Sequence, residues 1–362
     1  MNAAAPVGRD RDGRQAREAR EGREDRDGRG TRADHVWRPV PEGVASPDGK
    51  LLHLPSASGG IDAVQASNGK LMWHRTEGQM AVLGLDDAVL VLSARSSASP
   101  ASPAGLVRPL LLAAADGTPL GPLLPALPLP RGQWWLDEVM VRDQQMVLIW
   151  HSRWQADAAD RPLIESGAMA LDLDQLHKPA LAIDVPAAPA WPGDEGTQPF
   201  ADLGSPVRPW RVDGFDAGLG VRREGLRRQL LLCWRGPTTA AVLLDNLPQP
   251  GYLQYHASPD AHLVTLLQVN DEPWDGRPAG SVSRWLIFSA PAGKLLCTLA
   301  AEDGMTPPFA AVDGVLLVRQ LGAMPAKRQP PVRSLRAWRI GGAEPEPLWQ
   351  RALPTQAPNG WV

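Results

Sequence analysis

An acidic turn followed by an apolar run recurs six times along this chain, and no other feature restricts its fold as strongly. The copies read SPDGKLLHL from Ser46, GLDDAVLVL from Gly84, VRDQQMVLIW from Val141, RVDGFDAGLGV from Arg211, SPDAHLVTLL from Ser258 and AVDGVLLVRQ from Ala311. The turn acids are Asp48, Asp86, Asp143, Asp213, Asp260 and Asp313, separated by 38, 57, 70, 47 and 53 residues. Short runs of Val and Leu bounded by Asp, Gly and Pro are strand signals. Their recurrence at roughly 50 residues marks an array of similar β-sheets.

Each copy reads as four strands. The sixth gives Thr306 to Val312, Val315 to Gln320, Arg333 to Ile340 and Pro347 to Leu353. The first gives Val36 to Ala45, Lys50 to Pro55, Gly60 to Ala66 and Lys70 to Thr76. The second ends on Leu120 to Leu127, and the third on Ala180 to Val185. The fourth is the weakest, with Pro206 to Val212 and the glycine-rich Phe215 to Arg223 as its inner strands. The expected fold is therefore all-β: a β-propeller of four-stranded antiparallel blades, six in number, with seven or eight as alternatives. Residues 36–362 form the propeller, with an insertion loop at 187–203. Residues 36–45 and Pro354 to Val362 are candidates to pair across the ring's seam. Long links at Arg95 to Gly105, Gln155 to Glu165 and Asn270 to Gly280 all fall between second and third strands. They emerge on one side, where recognition is expected.

Residues 1–35 are different in kind. They contain no Trp, Phe, Tyr, Leu or Ile, and Arg recurs at every third position from Arg11 to Arg32. Nine Arg face eight acids there. Such a segment has nothing to offset its ordering entropy and is expected to be a disordered mixed-charge tail. It has no apolar signal core, which places the chain as written in the cytoplasm; a start assigned too far downstream would make it periplasmic. Net charge is -3, which argues against a nucleic-acid partner. No apolar run is long enough for a membrane-spanning helix.

The stretch Gly60-Ile61-Asp62-Ala63-Val64-Gln65-Ala66-Ser67-Asn68-Gly69-Lys70-Leu71-Met72-Trp73 resembles the repeat of the PQQ-like (quinoprotein-type) β-propellers. Both have an alternating third strand, a small-residue turn closing on Gly-Lys, and a Trp in the fourth strand. Ala290 to Cys297 is similar, with Cys297 where Trp73 stands, and so is Gly341 to Trp349. The resemblance spans residues 36–354 and implies the fold. Quinone-dependent members also carry a vicinal cysteine pair and calcium-binding acids. Here Cys233 and Cys297 are far apart, and the acids form no identifiable oxygen cage. The resemblance is therefore to a non-catalytic member.

Chemistry is sparse. The two cysteines sit in apolar stretches and read as small buried hydrophobes. The seven His show no HxH or HExxH spacing, and there is no GxSxG, P-loop or Rossmann fingerprint. No cofactor and no metal are expected. The turn acids read as caps for backbone N–H groups, since a site needs residues in one place and not in every copy. There are 14 Trp against 4 Phe and 2 Tyr. Trp73, Trp150, Trp234, Trp285, Trp338 and Trp349 lie in strand runs and read as blade packing. Trp134, Trp135, Trp154, Trp191, Trp210 and Trp274 lie in loops or near loop ends and are the expected partner-binding residues. The expected function is a WD40-like, non-enzymatic scaffold for a protein partner. The alternatives are a ligand-binding or catalytic site at the central channel mouth, and a structural subunit of a larger assembly.

Overall fold

The structure is a computed structural model that describes residues 38–355, apart from 95–106, 123, 130–132, 143, 155–162, 203–204, 213–214, 235–239, 246–252, 259–261, 269–282, 291, 303–304, 307–309, 323–331 and 342–343. The chain divides into Met1–His35 and Val36–Val362, and the described residues belong to the second unit. The tail expected at 1–35 lies outside them.

Among the described residues six antiparallel sheets of three or more strands follow one another. The first holds β1 (Pro39–Val40), β2 (Gly43–Ala45), β3 (Leu51–Pro55), β4 (Ile61–Gln65) and β5 (Leu71–Arg75). The second holds β6 (Met80–Gly84), β7 (Ala88–Ala94) and β8 (Val107–Ala113). The third holds β9 (Gln133–Arg142), β10 (Gln145–Trp154), β11 (Leu163–Asp172) and β12 (Leu181–Ile183). The fourth holds β13 (Thr197–Pro199), β16 (Trp210–Val212), β17 (Phe215–Glu224), β18 (Arg227–Trp234) and β19 (Ala240–Leu244). A ribbon of β14 (Ala201–Asp202) and β15 (Ser205–Pro206) precedes β16. The fifth holds β20 (Leu253–Ala257), β21 (Leu263–Gln268), β22 (Arg284–Ser289) and β23 (Lys294–Ala300). The sixth holds β24 (Ala310–Val312), β25 (Val315–Leu321), β26 (Arg333–Arg339) and β27 (Glu346–Leu353).

Asp48, Asp86 and Asp313 stand in the turns that join β2 to β3, β6 to β7 and β24 to β25, while Asp143, Asp213 and Asp260 lie outside the described residues. The chemistry is plain at Asp48. Its Oδ1 accepts from Ser46 Oγ at 2.7 Å and from Lys50 N at 3.0 Å. These bonds, the Ser46 hydroxyl first, hold its carboxyl down at about 2.

Two expectations are corrected. Of the strand expected at 36–45, the described residues 38–45 do not run as one strand across the seam. Pro41 and Glu42 turn the chain so that Pro39 pairs with Val44, and β2 continues into β3 of the same sheet. Leu120 to Leu127 forms no strand among its described residues. Pro119, Pro122, Pro125, Pro128 and Pro130 remove too many N–H donors for a ladder. Leu124 and Leu127 are instead tucked into the core below β8. The stretch expected as an insertion loop, 187–203, has no strand at 187–196 and then holds β13, which pairs with β17, and β14 of the ribbon.

Shared side-chain clusters set the order of the sheets in space. Val44, Ile61 and Trp73 of the first meet Ala81, Val89 and Val91 of the second. Val82, Leu90 and Leu92 meet Leu136, Met146 and Leu148 of the third. The fourth packs on the fifth through Leu219, Leu232, Val264 and Leu286. The fifth packs on the sixth through Leu263, Ile287, Leu316 and Trp338. The sixth then returns to the first through Leu317, Leu335, Leu52 and Leu54. Among the described residues no such cluster joins the third sheet to the fourth.

One contact repeats at two of these interfaces. Trp73, on the outer strand β5, donates its Nε1–H to Ala114 O at 2.8 Å, and its ring lies over the Gly117 turn of the second sheet. Trp349, on β27, donates to Ala66 O at 2.7 Å and lies over the Gly69 turn of the first sheet. A Cβ on Gly69 would stand 2.8 Å from the indole, and φ there is +69°, so glycine serves both the turn and the ring above it. The contact from the sixth sheet to the first is therefore the same as that from the first to the second, and among the described residues the two sheets meet at the seam through side chains and not through a shared strand.

His53, fully buried on β3, faces the first–second interface and stands 5.6 Å from the Trp73 ring. Neither ring nitrogen has a hydrogen-bond partner. Burial lowers its pKa from 6.5 to about 4. The folded state thus refuses a proton that the unfolded chain accepts. Its contribution is fully present above pH 6.5 and is lost as pH falls toward 4, a loss of about 3 kcal/mol. Comparison of urea unfolding at pH 7 and pH 4 should show His53→Leu losing that much less than the parent chain. An identical pH profile for the two would refute the burial of a neutral imidazole here.

Candidate functional site

The third sheet differs from the others in what its two faces meet. Strand alternation puts Trp134, Leu136, Val139, Met146, Leu148 and Met169 on the side of the second sheet, where they are buried. The opposite face carries Val147, Ala168 and Ala170, with Met140 and Ile149 half-buried beside them. Register extends that face outward: Ala170 opposes Leu181 and Ala168 opposes Ile183. Leu181 is 68% exposed and Ile183 37%, and Val185 beyond them is 51% exposed. At the far end Ile164, opposite Arg153, is 73% exposed.

The same face carries a polar group. Trp135 and His151 are cross-strand partners, and their rings stack at 4.9 Å and 17°. The β9–β10 ladder has a bulge beside Trp150, which leaves Asp137 without an opposite residue. Asp137 turns to His151, with Oδ1 2.6 Å from Nδ1. The result is an apolar stripe that ends in an aromatic step.

The fourth sheet shields its own flank. Trp191 packs over Gly218 and Gly220 of β17, where added Cβ atoms would stand 2.7 Å and 3.1 Å from its ring. This explains the glycine-rich fourth copy: the two glycines form a shallow seat for the indole. Gly218 is paired with Cys233 on that face. Burial raises the thiols of Cys233 and Cys297 to about 11, which leaves them inert packing groups. Gly218→Val is expected to unseat Trp191 and cost about 1–3 kcal/mol in a thermal or urea melt. Intrinsic Trp fluorescence should shift red with it.

The six tryptophans expected to bind a partner thus separate. Trp134 is corrected: it is a core residue of β9, 7% exposed. Trp135 lies on the open face. Trp191 and Trp210 are half-buried within the fourth sheet's surroundings, Trp210 stacked on Tyr255 at 5.5 Å. The Trp154 side chain and Trp274 lie outside the described residues.

Sequence reasoning missed the buried charges at the seam. Glu42 is 3% exposed and adopts φ +67°. It ion-pairs with Arg333 and, at 3.6 Å, with Arg319, both of the sixth sheet. Burial lowers the pKa of both guanidinium groups. Asp62, 2% exposed, holds His74 Nδ1 at 2.7 Å and pairs with Arg351 across the same seam. The available signal was the Pro41-Glu42-Gly43 turn, which places a non-glycine residue where positive φ is needed. These charges face one another between sheets and lock the closure. Among the described residues no group of three or more His, Cys, Asp or Glu is placed to hold a metal. No helix among them is long and apolar enough to cross a membrane.

Successive sheets that share packed clusters at five interfaces among the described residues, with the last sheet packed on the first, define a β-propeller. No family model and no curated protein matches the chain. Among solved structures it is similar to the β-propeller domain of the trilobed protease from Pyrococcus furiosus, at 9% identity over 60% of this chain and 58% of that one, with a TM-score of 0.26. It is similar to TolB from Acinetobacter baumannii at 10% identity over 84% and 66%, with a TM-score of 0.31. It is also similar to BamB from Moraxella catarrhalis at 12% identity over 89% and 88%, with a TM-score of 0.26. The chain spans less than two thirds of the Pyrococcus and Acinetobacter chains. Likenesses this distant carry no argument about activity, and the fold rests on the contacts described above.

Proposed function

We propose that this chain is a six-bladed, non-enzymatic member of the PQQ-like propellers that serves as a docking scaffold for another protein. The observation that carries this reading is the open face of the third sheet. Leu181, Ile183 and Ile164 are exposed on one face of the third sheet, with Val185 exposed just past β12, whereas five sheet-to-sheet interfaces elsewhere bury such residues. An exposed apolar stripe beside a rigid aromatic is the chemistry of a protein interface. The outer-strand Trp and turn Gly at Trp73–Gly117 and Trp349–Gly69 support the family reading.

The test is affinity isolation of the tagged full-length chain from its native cells, beside a Leu181→Asp/Ile183→Asp variant. Both positions are exposed, so the variant's melting temperature should stay within about 2 °C of the parent. A partner should co-purify with the parent and be lost from the variant. Equal recovery of the same partner by both proteins would refute docking at this face.

A further inference from the structure

We infer that β11 takes up an extended peptide from the partner protein as an added strand along residues 163–167. This rests on the docking reading above and specifies its geometry. β11 pairs with β10 along its whole length, from Leu163 to Asp172. On its other side β12 covers only Ala168 to Ala170. Among the described residues, 163–167 therefore form an unpaired edge, and alternate residues of such an edge direct both N–H and C=O outward. At about 3.4 Å per residue this edge is about 17 Å long, the length of an ordinary strand.

The chain's own continuation does not close this edge. β12 runs toward it, with Ile183 opposite Ala168, so residues 184–188 would pair next. They read Asp-Val-Pro-Ala-Ala and lead to Pro189. Pro186 has no N–H to give and its ring restricts Val185, so the ladder stops at Ile183. The edge is left exposed, with Leu163 at 56% and Ile164 at 73% exposure on opposite faces.

Charge selects the occupant. Exposed edges are commonly guarded by Lys or Pro, but among the described residues the charges on the edge itself and just past β12 are the exposed acids Glu165 and Asp184, with the exposed Arg153 one strand inward, opposite Ile164. Two copies of this chain paired antiparallel about the centre of 163–167 would set Glu165 against Glu165, which is unfavourable. An extended segment of alternating apolar residues, with a Lys or Arg to meet Glu165 and Asp184, satisfies the backbone, the apolar side chains and the charge together.

Random twelve-residue peptides displayed on phage, selected on the full-length chain, supply the probe. Selected sequences should alternate apolar and basic residues. Bound as synthetic peptides, they should slow hydrogen exchange at the amides of 163–167. Their affinity should fall about tenfold for Glu165→Lys, with an unchanged melt. Selection of no peptide, or of peptides that leave these amides unprotected, overturns strand addition. Protection that appears without peptide and grows with protein concentration also overturns it, by assigning the edge to a second copy. None of these results bears on whether Leu181 and Ile183 are needed for the native complex, so the two readings fail separately.

Discussion

Trp73→Ala is expected to destabilise the protein by about 3–5 kcal/mol, the range for deleting a buried large aromatic. Three contacts go at once: the ring over the Gly117 turn, the bond from Nε1–H to Ala114 O, and the packing that covers His53. Trp349→Ala removes the equivalent contact at the seam, but that indole is only half-buried and its loss should cost less. Trp73→Phe keeps an aromatic ring, removes the N–H donor and leaves Ala114 O unpartnered by an indole, for about 1–2 kcal/mol. Urea unfolding of the three variants should therefore rank Trp73→Ala above Trp349→Ala, with Trp73→Phe the mildest. Equal and small effects would mean that the indoles decorate the interfaces without holding them.

Glu42→Gln is expected to cost about 3–5 kcal/mol, because it removes one side of a buried ion pair and leaves the other uncompensated. The Arg333 side chain is 8% exposed, so water cannot easily replace the carboxylate. Arg319 is more open, at 31%, and contributes less. Glutamine is nearly isosteric and leaves the strained turn in place, which confines the effect to charge. Addition of Arg333→Met to Glu42→Gln should restore much of the loss, as expected for neighbours that share one interaction. Additive losses in the double variant would show that Glu42 and Arg333 act independently, contrary to the seam geometry.

The parts of the fold that sequence reading located are those built from neighbours along the chain. The turn at Asp48 needs only Ser46 and Lys50, so it is legible from residues a few positions apart. The strands of the sixth sheet were legible for the same reason: each is a short apolar run between strong turn residues. Where reading failed, a local rule competed with it. Leu120 to Leu127 has strand-like apolar content, but its prolines cannot donate to a ladder. Residues 36–45 concealed a hairpin because its turn puts Glu42 where glycine would have announced it. Trp134 and Trp135 differ by one position, yet only Trp134 is core, because one step along a strand changes faces.

The candidate site was the least legible part. That Trp135 meets His151 depends on a pairing across β9 and β10, and that Leu181 is exposed depends on which residues of distant segments pack on that face. Neither is encoded by the residues near it. By itself the chain determined a repetitive β architecture, since turn chemistry and strand periodicity act over a few residues. Only the tertiary structure decided how the array closes and where it stays open. Trp349 finds Ala66 across 283 residues of sequence, and which sheet faces are covered is settled by packing between distant segments.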